Sequence, residues 1–152
     1  MRPWIYPLAA ACLLACSATL AHDSTPTPSA SDHLQSAQKA IQAKDWHRAQ
    51  TELNAALRAD PRNADIHNLL GYTARKSSPP QLPQAFAHYK TALEINPQHR
   101  GAHEYLGEAF LMDKQPAEAQ KQLAALEKIC GTGCEEYADL AKAIADYKAS
   151  NP

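Results

Sequence analysis

The sequence has few bulky aromatic residues and no segment that is rich in valine, isoleucine and threonine. Because β-branched and aromatic residues favour strands, this scarcity argues against a β-sheet. Only 2 phenylalanines and 2 tryptophans occur among the 152 residues, and alanine dominates the apolar share of 45%. Alanine, leucine, glutamine, lysine and glutamate are good helix formers. The composition therefore predicts an all-α protein, and the length has room for one domain.

The sequence also lacks a marked excess of charge and the residue patterns of an active site. The formal net charge is −1, which gives no electrostatic reason to expect a nucleic acid as partner. There is no glycine-rich phosphate loop, no nucleophile at a recognisable spacing from a base and no pair of catalytic carboxylates. We therefore expect a protein without catalytic activity and without a cofactor.

The N-terminal segment MRPWIYPLAAACLLACSATLAHD has the pattern of an export signal. Arg2 precedes an apolar run that is too short to span a bilayer, and small residues follow as far as Ala21. Cleavage before His22 would remove residues 1–21 and leave an exported, periplasmic protein. Alternatively, LLAC resembles a bacterial lipobox, in which case Cys16 would carry a lipid that anchors the protein to the membrane.

Residues 22–31, HDSTPTPSAS, are rich in serine, threonine and proline, so we expect a flexible spacer. If His22 became the N-terminus, its α-amino group and its imidazole could bind copper together. Nothing in this segment supplies a second histidine at a fixed position. Copper handling is therefore an alternative function, and our main expectation is that the protein has no metal site.

Three stretches of the remaining sequence align with one another at a spacing of 34 to 36 residues. Each opens with a histidine, has a small residue four positions later and an alanine near its middle, and closes with a proline or a glycine. The aligned positions are His33, His67 and His103; Ala37, Gly71 and Gly107; Ala49, Ala85 and Ala119; and Pro61, Pro97 and Gly131.

Apolar residues within each stretch recur at helical spacing, as Leu106 and Phe110 do in the third. This periodicity predicts two antiparallel helices per stretch. The DP and NP pairs end the second helices, because proline cannot continue a helix and disfavours it at the preceding residue. We expect the small residue of each first helix, such as Gly107, to face the alanine of the second helix, here Ala119, so that the two axes approach closely.

These features resemble the tetratricopeptide repeat (TPR) family. The resemblance rests on LLGY and YLGEAF in first helices, and on A…Y…AL.INP and A…L…AL.ADP in second helices. It implies three antiparallel helix pairs, stacked as a short right-handed solenoid. The sequence departs from the family because a histidine replaces the usual bulky aromatic residue at the start of each unit. The implied repeats are about residues 32–63, 64–99 and 100–133 of a domain at 32–150.

The segment CEEYADLAKAIADYKAS after the third unit has one apolar helical stripe, which includes Leu140 and Ile144. Its opposite face carries charged residues, and Glu135 and Glu136 in its first turn complement the helix dipole. An open stack of repeats needs a last helix with one apolar and one polar face. We therefore predict a capping helix at about 135–149.

The three aligned histidines invite interpretation as a metal site, but their recurrence argues for a structural role. Equivalent side chains of stacked repeats lie about 10 Å apart, the distance between packed helices. Zinc ligands lie about 2 Å from the ion, so the three histidines could not share one. We expect each to fill the space between its paired helices.

Two cysteines, Cys130 and Cys134, remain if export removes Cys12 and Cys16. A single pair in an oxidising compartment predicts a disulfide. A redox centre would more often be C-x-x-C near a βαβ pattern, and a zinc site would lack two ligands, although redox handling stays an alternative. The loop CGTGC joins the third unit to the capping helix, so we expect the bridge to fix the angle of that helix.

The family resemblance implies a concave groove, lined by the first helices, that holds a peptide or a helix of another protein. Asparagine and glutamine can bind a peptide backbone, tyrosines offer flat contact area, and Arg75 can hold a carboxylate in a fork. Some relatives clamp a C-terminal carboxylate with cations, but the third unit here is acidic, so we do not predict that activity. The implied groove residues are Gln38, Gln42, Asn68, Tyr72, Arg75, Lys76, Glu104, Tyr105, Glu108 and Met112.

The expected function is a non-catalytic interaction module of the cell envelope whose partner is another protein or a peptide. We expect no nucleic acid as partner, and contact with a membrane only through a lipid on Cys16. Two alternatives remain at this point. One is copper or redox handling through His22 or the pair Cys130 and Cys134, and the other is an architectural subunit that packs edge to edge in a larger complex.

Overall fold

The structure is a computed structural model that describes residues 27–151. The predicted signal segment, Cys16, His22 and the first half of the predicted spacer lie outside the described residues. Within residues 27–151 no helix is both long enough and apolar enough to cross a bilayer.

The described chain folds into seven α-helices and contains no strand. Consecutive helices pair as α1 with α2, α3 with α4 and α5 with α6, while α7 packs against both α5 and α6. This confirms the predicted fold of three stacked helix pairs and a capping helix. The helices are α1 (Ala30–Gln42), α2 (Trp46–Ala59), α3 (Ala64–Lys76), α4 (Leu82–Ile95), α5 (Arg100–Met112), α6 (Pro116–Cys130) and α7 (Glu135–Ser150).

Side chains before the first turns fix where the helices begin. Ser29 accepts a hydrogen bond from the backbone of Asp32, whose carboxylate in turn accepts one from the backbone of Ser29, forming a capping box. This cap starts α1 at Ala30, so residues 30 and 31 belong to the helix and not to the expected spacer. Asp45 and Asn63 cap α2 and α3 by accepting hydrogen bonds from backbone N–H groups of the first turn, without a capping box.

Small residues let the helices approach closely, though the partners differ from those we expected. A Cβ placed on Gly71 would lie 2.5 Å from the ring of Tyr89, and one on Gly107 would lie 2.6 Å from the methyl carbons of Leu140. The nearest partners are therefore a buried tyrosine of α4 and a leucine of the capping helix, not the alanines Ala85 and Ala119. Gly107 thus allows α7 to seat against the third pair.

The aligned histidines join the first helix of each pair to the second. The Nδ1 atom of His33 lies 2.8 Å from Glu52, and that of His103 lies 2.8 Å from Gln122. In the second pair the corresponding partner of His67 is His88, with 3.2 Å between the Nδ1 atoms. The three histidines thus occupy one repeated structural position.

The His67–His88 contact should make the protein sensitive to acid. Burial, and then the neighbouring His67, lowers the pKa of His88 below its usual 6.5. Protonation of His88 therefore favours the unfolded chain, so the contribution of His88 to stability is constant well above pH 6.5 and falls as the pH drops below it. We expect the urea unfolding midpoint of the wild type, measured relative to that of a variant without this histidine pair, to decrease between pH 7 and pH 5.

The variant His88→Gln provides the matched comparison, because it recreates the histidine–glutamine contact that the third pair already has. Its urea midpoint should rise relative to that of the wild type as the pH falls from 7 to 5, and the effects of the other titrating groups cancel in this difference. Equal slopes for the two proteins would show that this histidine pair does not cause the acid sensitivity.

Candidate partner-binding groove

An aromatic cluster runs from the first repeat to the third. The ring centroids of Trp46 and Tyr72 lie 6.1 Å apart, and those of Tyr72 and Tyr105 lie 4.9 Å apart. Tyr89 reaches the same cluster from α4, with its centroid 6.4 Å from that of Tyr105. Tyr72 and Tyr105 are only half-buried, so part of each ring remains open to solvent. The cluster therefore offers flat, partly accessible aromatic area along the first helices.

Arg75 lies at the centre of this cluster. Its guanidinium carbon lies 5.5 Å from the ring centroid of Tyr72 and 5.4 Å from that of Tyr105, within the range of cation–π attraction. The Nε atom donates a hydrogen bond to the Tyr89 hydroxyl at 3.3 Å. An Nη2 atom contacts the Glu108 carboxylate, without the alignment of a hydrogen bond, so that contact is an ion pair.

These contacts change the role expected of Arg75. We predicted that it would hold a carboxylate of a partner, but only 4% of its surface is exposed and it holds the carboxylate of Glu108 in its own chain. Burial acts to lower the pKa of Arg75, but Tyr89 and Glu108 outweigh it, and the pKa is raised. The guanidinium therefore stays charged and organises the cluster from within.

Accessible charge at the cluster comes from Lys76 instead. Lys76 is exposed, and its Nζ atom lies 5.6 Å from the centroid of the Tyr72 ring. Tyr105 stays a neutral hydroxyl, because burial and then Glu104 raise its pKa to about 12. The surface that a partner would meet here combines the half-buried tyrosine rings with the exposed ammonium group of Lys76.

A second feature of the groove is a cavity of about 260 Å³ between α3, α5 and α7, which we call the acidic cavity. Glu104 lies within it and is only 9% exposed. Burial, followed by the charges of Glu108, Asp139 and Glu136, raises its pKa to about 8. The lining residues are Asn68, Leu69, Gly101, Glu104, Tyr105, Glu135, Glu136 and Asp139.

Three of the predicted groove residues lie apart from the others. Gln38 and Gln42 are exposed on α1, and neither lines the acidic cavity. Met112 is 44% exposed and lines a different cavity, of about 360 Å³, between the ends of α5 and α7.

Sequence reasoning missed several residues that the structure adds to the site. Trp46 was overlooked because it starts a second helix, although it is one of only two tryptophans. Tyr89 entered only as the tyrosine of the repeated pattern A…Y…AL.INP. Glu136 and Asp139 were considered only as polar residues of the capping helix. The only role inferred for Glu136 was a favourable interaction with the helix dipole in the first turn.

The two cysteines lie at the junction of α6 and α7. Their sulfur atoms are 2.10 Å apart, and their Cα atoms are 5.9 Å apart, a separation typical of bridged cysteines. Within residues 27–151, Cys130, Cys134 and Glu136 are the only group of three potential metal ligands with atoms close together. Sulfur atoms joined to each other are not thiolates, so a bridged pair would not supply the ligands of such a site.

Solved structures share this fold at low sequence identity. A TPR2B domain of yeast Sti1, in a complex with pHsp70, is 17% identical with a TM-score of 0.70 over 80% of this chain and 98% of that one. The first TPR domain of Spaghetti (RPAP3), bound to the HSP90 peptide SRMEEVD, is 18% identical with a TM-score of 0.68 over 79% and 95%. The TPR domain of Arabidopsis OM64 is 14% identical with a TM-score of 0.69 over 78% and 95%.

Family comparison agrees with the repeats seen in the sequence and in the helices. No curated protein matches the chain significantly. Two sequence models described as tetratricopeptide repeat match it, one at residues 34–78 and the other at residues 81–144, which together form most of the chain. The protein therefore belongs to the tetratricopeptide repeat family.

Proposed function

We propose that this protein is a non-catalytic interaction module that binds a peptide or a helix of a partner protein in its concave groove. The observation that carries the proposal is the aromatic cluster of Trp46, Tyr72 and Tyr105, which is continuous across the repeats and partly accessible. Tyrosine and tryptophan rings supply large contact area at a low cost in side-chain entropy. Arg75 holds the rings in place, so the surface is organised before a partner binds.

The fold neighbours support a peptide as the type of ligand. The Spaghetti domain holds the HSP90 peptide SRMEEVD, and the Sti1 domain was solved with pHsp70. Both domains share the helix arrangement of this chain, so this arrangement is compatible with binding a peptide. Their low identity means that the partner of this protein must be found by experiment.

We place this function in the cell envelope because of the export pattern at the N-terminus. Mass spectrometry of the protein from its native host tests this directly. A chain that starts at His22 would support secretion, and a lipid on an N-terminal Cys16 would support a membrane anchor. A chain that retains Met1 and its following residues would contradict both routes.

The disulfide between Cys130 and Cys134 belongs to the same proposal, because a bridge would hold α7 against the third pair. Protein purified without reductant should show no free thiols under native conditions and should release a cross-linked peptide on digestion. Two reactive thiols would instead favour the redox alternative.

Replacing Tyr72 by alanine should remove the central ring of the aromatic surface. Hot-spot tyrosines contribute about 2 kcal/mol or more to binding, so we expect partner capture from envelope extract to fall at least about tenfold. Helicity should not change, because Tyr72 is only half-buried. Capture on immobilised protein, followed by quantitative mass spectrometry, measures the effect.

Tyr147→Ala is the matched control, since Tyr147 is also half-buried but lies on α7 beside the other cavity. Its set of captured proteins should equal that of the wild type. The groove proposal fails if Tyr72→Ala captures the same proteins at the same levels as the wild type.

A further inference from the structure

The acidic cavity has a lining of one charge sign. Four of its eight lining residues are carboxylic acids, and none is basic. Within the described residues neither Glu104 nor Asp139 forms an ion pair. Two guanidinium groups lie just outside, where Arg75 contacts Glu108 and Arg100 contacts Glu136 at 3.4 Å. Among the described residues, the two acids at the centre of the cavity, Glu104 and Asp139, therefore have no cationic side chain in direct contact.

Asn68 provides an independent sign that a hydrogen-bond donor is missing. Its side chain lines the cavity and is 6% exposed, and its Oδ1 atom is buried without a hydrogen-bond partner among the described residues. A buried acceptor without a donor costs about 1–3 kcal/mol, and such atoms are rare in folded proteins. A group that enters the cavity with N–H donors would satisfy this amide oxygen.

We infer that the acidic cavity binds the cationic side chain, lysine or arginine, of a peptide held in the groove. An ammonium brings three donors and a guanidinium five, which matches a site made of carboxylates and one amide oxygen. The inference rests on the proposed function, because it names the chemistry of the segment that this groove accepts.

The spacing of the acids favours an organic cation over a metal ion. In the described part of the chain, the acids of the cavity do not form a group of three whose ligand atoms all lie within 4.8 Å of one another. Calcium requires its oxygen ligands at 2.3–2.6 Å from the ion, and so close to one another. The N–H donors of a lysine or arginine side chain can instead contact carboxylates that are separated from one another.

The acidic lining of the cavity also suggests a different kind of ligand from the peptide that a fold neighbour binds. The peptide SRMEEVD in the Spaghetti domain has three acidic residues in its last four positions. A segment of that kind would be repelled by the carboxylates of the acidic cavity. The lysine or arginine of a suitable partner would reach Glu104 and Asp139, while its neighbouring residues contact Tyr72 and Tyr105.

Binding of a cation should release a proton from Glu104. Its carboxyl is surrounded by Glu108 on its own helix, by Glu136 and Asp139 on α7 and by Arg75 on α3, and its pKa is raised to about 8. A bound cation favours the ionised form, so affinity should rise as the pH increases from 6 toward 8.

The test selects peptides from a random library displayed on phage, using the purified protein at pH 8 and low salt. We expect the selected peptides to share a lysine or arginine at a fixed position. Replacing that residue by norleucine, or Asp139 by asparagine in the protein, should weaken binding about tenfold, the loss of one charge-assisted contact. The two changes together should cost little more than either one alone.

Glu127→Gln is the control, because Glu127 is an exposed acid of α6 outside the cavity, and it should bind the selected peptides as the wild type does. The inference would be overturned if the selected peptides depend on Tyr72 for binding but share no basic residue. It would also be overturned if their affinity is unchanged in Asp139→Asn. In both cases the proposed function would still stand. Displacement of the peptides by calcium chloride, at an ionic strength matched with sodium chloride, would identify a metal site and would also overturn it. Failure of the proposed function would appear differently, as binding to the cavity that does not depend on Tyr72.

Discussion

Replacing Arg75 by methionine should lower the free energy of unfolding by about 3 kcal/mol, because it removes a buried cation that pairs with the half-buried Glu108 carboxylate and donates to the buried Tyr89 hydroxyl. Methionine keeps much of the side-chain volume, so the loss reports the charge and its contacts more than a cavity. The Glu108 carboxylate would lose its cation, and the Tyr89 hydroxyl would lose its donor in a buried position. Urea unfolding followed by circular dichroism measures this change.

Two further variants separate the ion pair from general damage. Arg58→Met changes an exposed arginine in the last turn of α2 and should alter stability by less than about 0.5 kcal/mol. The double variant Arg75→Met with Glu108→Gln should recover part of the loss, since it removes both charges of the pair. Strictly additive effects of the two substitutions would show that Arg75 and Glu108 are not energetically coupled.

The fold could be predicted from the sequence because the residues that define each helix pair recur in all three repeats. The aligned histidines, the small residues four positions later and the closing prolines place the same helix boundary or helix contact in successive units. One regular feature was misjudged in detail, since Gly71 faces Tyr89 and Gly107 faces Leu140. Spacing shows that a close approach is needed, but not which neighbouring side chain fills the space.

The site was less predictable because it depends on contacts between repeats. The family resemblance implied Asn68, Tyr72, Arg75, Tyr105 and Glu108 as groove residues, and the structure brings these five side chains together between α3 and α5. Arg75 is buried because tyrosine rings from α3, α4 and α5 all pack around it. The sequence of a single helix cannot reveal this burial. The acidic cavity likewise needs α7 beside α3 and α5, and residues of the capping helix had been considered only as a cover for the stack.

Replacing Glu104 by glutamine should stabilise the protein, although it removes a residue from the centre of the site. The folded pKa of about 8 lies above the usual 4.5, so the folded state retains a proton that the unfolded chain releases. Stability from this group is therefore fully present below pH 4.5 and is lost as the pH rises through 8. Glutamine is neutral at every pH and has nearly the same shape.

We expect Glu104→Gln to raise the free energy of unfolding by about 2 kcal/mol at pH 8 and by little at pH 5. The value at pH 8 is smaller than the full free-energy equivalent of the pKa shift, because the cavity is open to water. Differences in urea midpoint between variant and wild type measure this, and the effect of His88 cancels in the difference. Glu127→Gln should show no such pH dependence. A gain that is equal at both pH values would mean that the Glu104 carboxyl is not held neutral by the fold.

A stability gain from Glu104→Gln would matter for function because the same substitution should weaken the binding of cationic peptides to the acidic cavity. A carboxyl that destabilises the free protein but binds a partner's lysine or arginine is typical of a binding site rather than of a core. Increased stability with unchanged peptide affinity would separate the two roles and leave Glu104 as a strained core residue. Increased stability together with about tenfold weaker binding would show that the fold tolerates this carboxyl because the partner needs it.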